Sequence, residues 1–115
     1  MNDKVPRDLE DAIQTLEREL SPEDLERLQK GNPEDFHRNL GLCIRNNWKL
    51  WAGSRLAWWF KTNHQIDHPD DVSNIIITSL QRKLNGVDVK LDEQIVSCKN
   101  YWAGVVCTKE EVKLL

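Results

Sequence analysis

The chain has 115 residues, 39% hydrophobic and 30% charged, with a formal net charge of −3. That length suits one domain with a single core, and it leaves part of the apolar burial to five tryptophans, each able to bury about 150–250 Å². No apolar run approaches the roughly 18 residues of a membrane span. The opening MNDKVPRDLEDAI carries charges where a signal peptide would be apolar. Cys43, Cys98 and Cys107 are widely spaced and form no CxxC pair, so a reduced, cytoplasmic setting is expected. The acidic balance disfavours nonspecific binding to nucleic acid and suits a basic partner.

Charge is unevenly spread. Residues 1–35 carry eleven Asp/Glu against five Lys/Arg, whereas residues 36–64 carry five basic residues and no carboxylate. That middle block also holds Trp48, Trp51, Trp58 and Trp59.

The elements read as helices in chain order. Leu9, Ile13, Leu16 and Leu20 recur at helical spacing, with Ala12 beside them. Ser21-Pro22-Glu23-Asp24 is a start signal: a capping hydroxyl, proline in the first turn, then carboxylates at the positive end of the helix dipole. This second helix turns Leu25 and Leu28 inward and stops at Gly31. Asn32-Pro33-Glu34-Asp35 repeats the signal and predicts a third helix through about Asn46. Its apolar stripe is Phe36, Leu40, Cys43 and Ile44, with Gly41 admitting a close neighbour.

Gly53-Ser54 marks the next break, and Ser54 can cap a helix carrying Leu56, Trp59 and Phe60. Asp67-His68-Pro69-Asp70-Asp71 opens the longest helix, which ends near Leu84 and turns Val72, Ile75, Ile76, Leu80 and Leu84 inward. The run Ile75 to Ile77 also suits a strand, but the flanking caps favour helix. A last long helix spans about Leu91 to Ala103 and buries Ile95, Cys98 and Trp102. Thr108-Lys109-Glu110-Glu111 has capping-box spacing for a short terminal turn. The expected fold is an all-α, compact single-domain bundle of about six short helices over residues 1–115, with 1–7 and 108–115 as frayed ends.

Catalytic and metal chemistry find little footing. His37, His64 and His68 with Asp67, Asp70 and Asp71 form the one conceivable metal cluster, but Pro69 and the turn break the alignment of His64 with His68. Asp70 and Asp71 read better as first-turn carboxylates. Cys43 falls on the apolar stripe, so a buried structural thiol is expected. Ser54 lacks the strand–turn–helix setting of a nucleophile elbow. No cofactor, metal or enzymatic activity is expected. The Trp/Arg block can stack bases while Arg38, Arg45, Lys49 and Arg55 meet phosphates, but a structural cluster that partly surfaces for protein binding is the stronger reading. Arg45 and Arg55 are natural partners for Asp70 and Asp71.

The segment from His37 to Ser73 resembles an uncharacterised family of small bacterial domains. The elements that carry the resemblance are His37, Leu40-Gly41, Ile44-Arg45-Asn46-Asn47-Trp48, Leu50-Trp51, Gly53-Ser54-Arg55-Leu56 and His68-Pro69-Asp70-Asp71-Val72-Ser73. The likeness extends more loosely from about Leu9 to Glu93. Arg38, Asn39 and Cys43 depart from a pattern that is apolar, glycine-like and aromatic there. The resemblance brings no activity with it. It implies that His37, Arg45, Asn46, Asn47, Trp48, Trp51, Ser54, Arg55, His68, Asp70 and Asp71 belong together, as an internal network or a shallow pocket lining.

The leading functional expectation is a cytoplasmic protein-binding module of the immunity type, which neutralises a cognate bacterial toxin. A basic toxin domain would meet Glu23, Asp24, Glu26, Glu34 and Asp35, with Trp58 as an anchor. The alternatives are a ligand- or nucleic-acid-binding domain using residues 36–64, and a small enzyme built on His37, His68, Asp70 and Asp71.

Overall fold

Asp8 starts the first helix, its carboxylate accepting the Asp11 backbone N–H at 2.9 Å, and α1 runs Leu9–Glu19. The computed structural model describes residues 5–101, apart from the side chains of Pro33 and Glu34. α1 buries Leu9, Ala12, Ile13, Thr15 and Leu16. Thr15 is satisfied locally, donating to the Asp11 carbonyl at 2.8 Å.

α2 spans Pro22–Lys30. Ser21 accepts the Asp24 N–H at 3.1 Å, as its sequence signal requires, and Gly31 closes the helix. Gly31 is needed for close approach: a Cβ there would sit 2.9 Å from the Arg27 carbonyl and 3.1 Å from the Phe36 ring. α2 sinks Leu28 completely and Leu25 partly. Gln81 ties it down from the neighbouring helix, donating to the carbonyls of Leu28 and Gly31.

The continuous third helix expected from Pro33 to Asn46 does not form. A short 3-10 turn spans Pro33–Phe36, the chain turns at residues 37–39, and α3 runs Leu40–Asn47. Two side chains interrupt the helical ladder. Asn39 accepts the Leu40 N–H on its own amide oxygen at 2.7 Å, giving α3 a fresh start. The His37 carbonyl receives a guanidinium N–H of Arg45 at 3.4 Å.

Beyond α3, Lys49 and Gly53 both adopt left-handed backbone, with φ of 50° and 72°, around the 3-10 turn Leu50–Ala52. α4 runs Arg55–His64 and buries Leu56 and Phe60. Ser54 occupies its capping position, but the hydroxyl makes no capping bond and is buried. α5, Pro69–Leu84, is capped by His68, whose Nδ1 accepts the Asp70 N–H at 3.1 Å.

α5 is the axis of the bundle. α1, α2, α3 and α4 all pack on it, so it buries Val72, Ser73, Ile75, Ile76, Ile77, Ser79 and Leu80. A helix covered on several sides buries consecutive residues, which is why the three isoleucines imitate a strand in the sequence. A sixth helix, α6, covers residues 91–101 and returns along α5. Gln94 donates to Ser79 Oγ at 3.0 Å, and Ile95 is buried. The expected burial of Trp102, the end at Ala103 and the capping box at Thr108 lie outside the described residues.

The fold is therefore an all-α single domain, with six α-helices among the described residues. Within the N-terminal stretch expected to fray, Val5 and Pro6 are buried, and the Val5 carbonyl accepts Arg55 Nε at 2.6 Å. Residues 5–6 thus belong to the folded body.

Because Leu28 is the deepest anchor of α2, Leu28→Ala should cost about 2–5 kcal/mol in urea unfolding. A loss below about 1 kcal/mol would mean that α2 is not docked as described.

Candidate functional site

α3 packs on α5, and Gly41, Ile44, Arg45 and the C-cap Trp48, spaced i, i+3, i+4 and i+7, are all buried. One of these inward positions is an arginine, only 7% exposed. Arg45 Nη1 donates to Ser73 Oγ at 2.9 Å, Nη2 to the His37 carbonyl at 3.4 Å, and Nε lies 3.3 Å from Asp70 Oδ1. Ser73 in turn donates to the Asp70 carbonyl at 3.0 Å. The guanidinium fork suits this set of acceptors, since its N–H groups point in fixed directions. Gly41 makes room for it: a Cβ would stand 2.9 Å from Arg45 Nη1.

Two more links extend the cluster. His37 Nδ1 lies 2.8 Å from Asn74 Oδ1, a bond in which the ring N–H donates. His68 caps α5 and meets the Trp51 ring edge-on, with centroids 5.8 Å apart. His37, Arg45, Trp51, His68 and Asp70 are thereby connected directly or through α5, and Trp48 is buried at the end of α3. Asn46 and Asn47 are exposed, and Arg55 bonds the N-terminal segment at Val5. Asp71 is half-buried and acts electrostatically on Cys98 of α6.

The buried structural thiol expected at Cys43 is a correction: Cys43 is exposed. The phase of α3 explains it. The inward positions 41, 44, 45 and 48 include Arg45, so of the expected stripe Ile44 is buried, Phe36 and Leu40 pack partly against the core, and Cys43 falls outside it. Cys43 instead lines an open groove between α1 and α3, of about 820 Å³, together with Leu16, Leu20, Leu40, Ile44 and Trp48. No sequence signal marked this groove, because both walls carry mixed polar and apolar residues.

The tryptophans divide sharply. Trp48 is buried and Trp59 half-buried, whereas Trp51 and Trp58 are each 62% exposed. The carboxylates expected to meet a partner, Glu23, Asp24, Glu26 and Asp35, are all exposed. Glu26 is paired along α2 with Lys30 at 2.7 Å. The side chain of Glu34 lies outside the described residues. Among the described residues, no three His, Cys, Asp or Glu side chains converge as metal ligands would. No described helix is long and apolar enough to cross a membrane.

A family described as Domain of unknown function (DUF6794) matches residues 5–84. The chain belongs to this family. The DUF6794 match begins at Val5, the residue that Arg55 holds, and ends at Leu84, the last residue of α5. It therefore covers α1 to α5 with the Arg45 cluster, and α6 lies beyond it. No curated protein and no solved structure matches the chain.

The two described thiols should separate by reactivity. Burial, and then the charge of Asp71, push Cys98 above its ordinary thiol range. The thiolate is the nucleophile, so Cys98 should react with iodoacetamide slowly near neutral pH and keep accelerating above the pH where an ordinary thiol levels off. Cys43, being exposed, should be modified first. Peptide mapping by mass spectrometry follows each site, and equal rates at every pH would contradict this placement.

Proposed function

We propose that the protein is a non-catalytic, protein-binding module of the immunity type, which neutralises a basic bacterial toxin domain through the acidic outer face of α1 and α2. The observation that carries this reading is the concentration of exposed carboxylates on those two helices. Glu10 and Glu19 on α1, and Glu23, Asp24 and Glu26 on α2, all face solvent. The two helices are joined by only Leu20 and Ser21, and each is packed on α5. Such a surface holds its charges in place before contact, so a basic partner is steered to it without ordering a loop.

The polar residues that an enzyme would need are spoken for. His68 Nδ1 is committed to the α5 cap, His37 to Asn74, and Asp70 to Arg45. Groups held by one another in this way serve the fold, which favours binding over turnover.

Coexpression with basic toxin domains encoded beside the gene tests the reading. The wild-type protein should restore growth and bind the toxin domain, with an association rate that falls as salt rises. Glu23→Lys combined with Asp24→Lys should slow association by about tenfold or more and weaken rescue, while the helical circular dichroism stays unchanged. Failure of every neighbouring toxin domain to bind, or rescue unaffected by the charge reversal, would overturn the proposal.

A further inference from the structure

A second surface is not used by the acidic face. α2 is tied to the C-terminal end of α5, through Gln29 Nε2 to the Leu84 carbonyl and Asn85 Nδ2 to the Gln29 carbonyl, both 3.1 Å. α4 instead ends beside the start of α5, where the short link 65–68 leads into Pro69. α5 has 16 residues, so these regions are separated by roughly 20 Å along its axis.

The outward face of α4 contains no carboxylate. Arg55, Trp58, Lys61, Thr62 and Gln65 follow at helical spacing and are all exposed. The Lys61 ammonium stands over the Trp58 indole, 5.9 Å from the ring centroid. The Thr62 hydroxyl donates back to the Trp58 carbonyl at 2.8 Å, so it has no call on the indole. At the far end Lys99 of α6 donates to Gln65 Oε1 at 3.2 Å and adds a second lysine. Asp67 and Asp71 line the same hollow as Gln65 and Lys99, and the basic face ends there. The ridge from Arg55 to Gln65 is about 15 Å long.

An exposed indole of this size is the kind of residue that anchors interfaces, and the Lys61 ammonium lies against it. We propose that this face of α4 binds an acidic peptide segment of a protein partner, with an apolar side chain packed on Trp58 and carboxylates meeting Lys61 and Lys99. Charge complementarity selects the partner. Two lysines on this face are few for a phosphate backbone carrying a charge every few ångströms. One indole face is also covered by Lys61, which leaves a single face for an apolar side chain and none for a continuous base stack.

Fluorescence anisotropy with three labelled probes tests the proposal: a decapeptide alternating Glu and Leu, its Lys/Leu counterpart, and a single-stranded decanucleotide. The Glu/Leu peptide should bind and quench tryptophan emission, and the Lys/Leu peptide should not. Trp58→Ala and Lys61→Glu, both at exposed positions, should each weaken binding about tenfold, and raising salt from about 50 to 200 mM should weaken it several-fold. Absence of binding, binding unchanged in Trp58→Ala, or tighter binding of the oligonucleotide would overturn the proposal. So would concentration-dependent self-association that Lys61→Glu abolishes, which would make a second copy the occupant.

Discussion

The structure turns on one guanidinium taken out of water. Arg45 sits where α3 crosses α5, and an uncompensated charge there would cost several kcal/mol. Its neighbours answer that demand one by one: Asp70 for the charge, Ser73 and the His37 carbonyl for the remaining N–H groups, and Gly41 for the space. Asp70 is itself placed by the α5 cap that His68 provides. The side chain of Asp70 stays 42% exposed, so water shares in screening the pair and the hydrogen bonds to Ser73 and His37 matter as much as the ion pair. The same arginine also reaches the turn at residues 37–39, where the helix expected from Pro33 is interrupted, through the His37 carbonyl at 3.4 Å.

Much of this was legible in the sequence because helix grammar is local. Ser21-Pro22 and His68-Pro69-Asp70 open helices where they should, Gly31 closes one, and the apolar spacing of α1 and α5 matches their buried faces. The signature residues Arg45 and Asp70 also meet across 25 positions, as their shared occurrence implied. What failed was the phase of α3. A rule that places apolar residues inside could not anticipate that an arginine would take an inward position while Cys43 and Leu42 face out. Ser54 holds the capping position of α4, but its buried hydroxyl makes no capping bond, and nothing in the structure explains why.

The fold also arranges charge. With α5 as the axis, α2 is held at its C-terminal end, whereas α4 ends beside its N-terminal end. The acid-poor, Trp-rich middle of the chain is thus split by the fold. Arg45 and Trp48 turn inward and hold helices together, while Trp58 and Lys61 turn outward. The proposed toxin-binding face and the proposed acidic-peptide face lie on different helices, and α6, beyond the family match, adds Lys99 to the second of them.

A double-mutant cycle of Arg45→Met with Asp70→Asn, read by urea unfolding, tests the central role of the buried arginine most directly. Asp70→Asn alone leaves a buried guanidinium without its counter-charge, whereas in the Arg45→Met background the same change removes nothing that α3 needs. The two changes should therefore couple by on the order of 1 kcal/mol or more, with the double variant more stable than the sum of the single losses implies. Losses that add to within about 0.5 kcal/mol would contradict the view that Arg45 and Asp70 join α3 to α5.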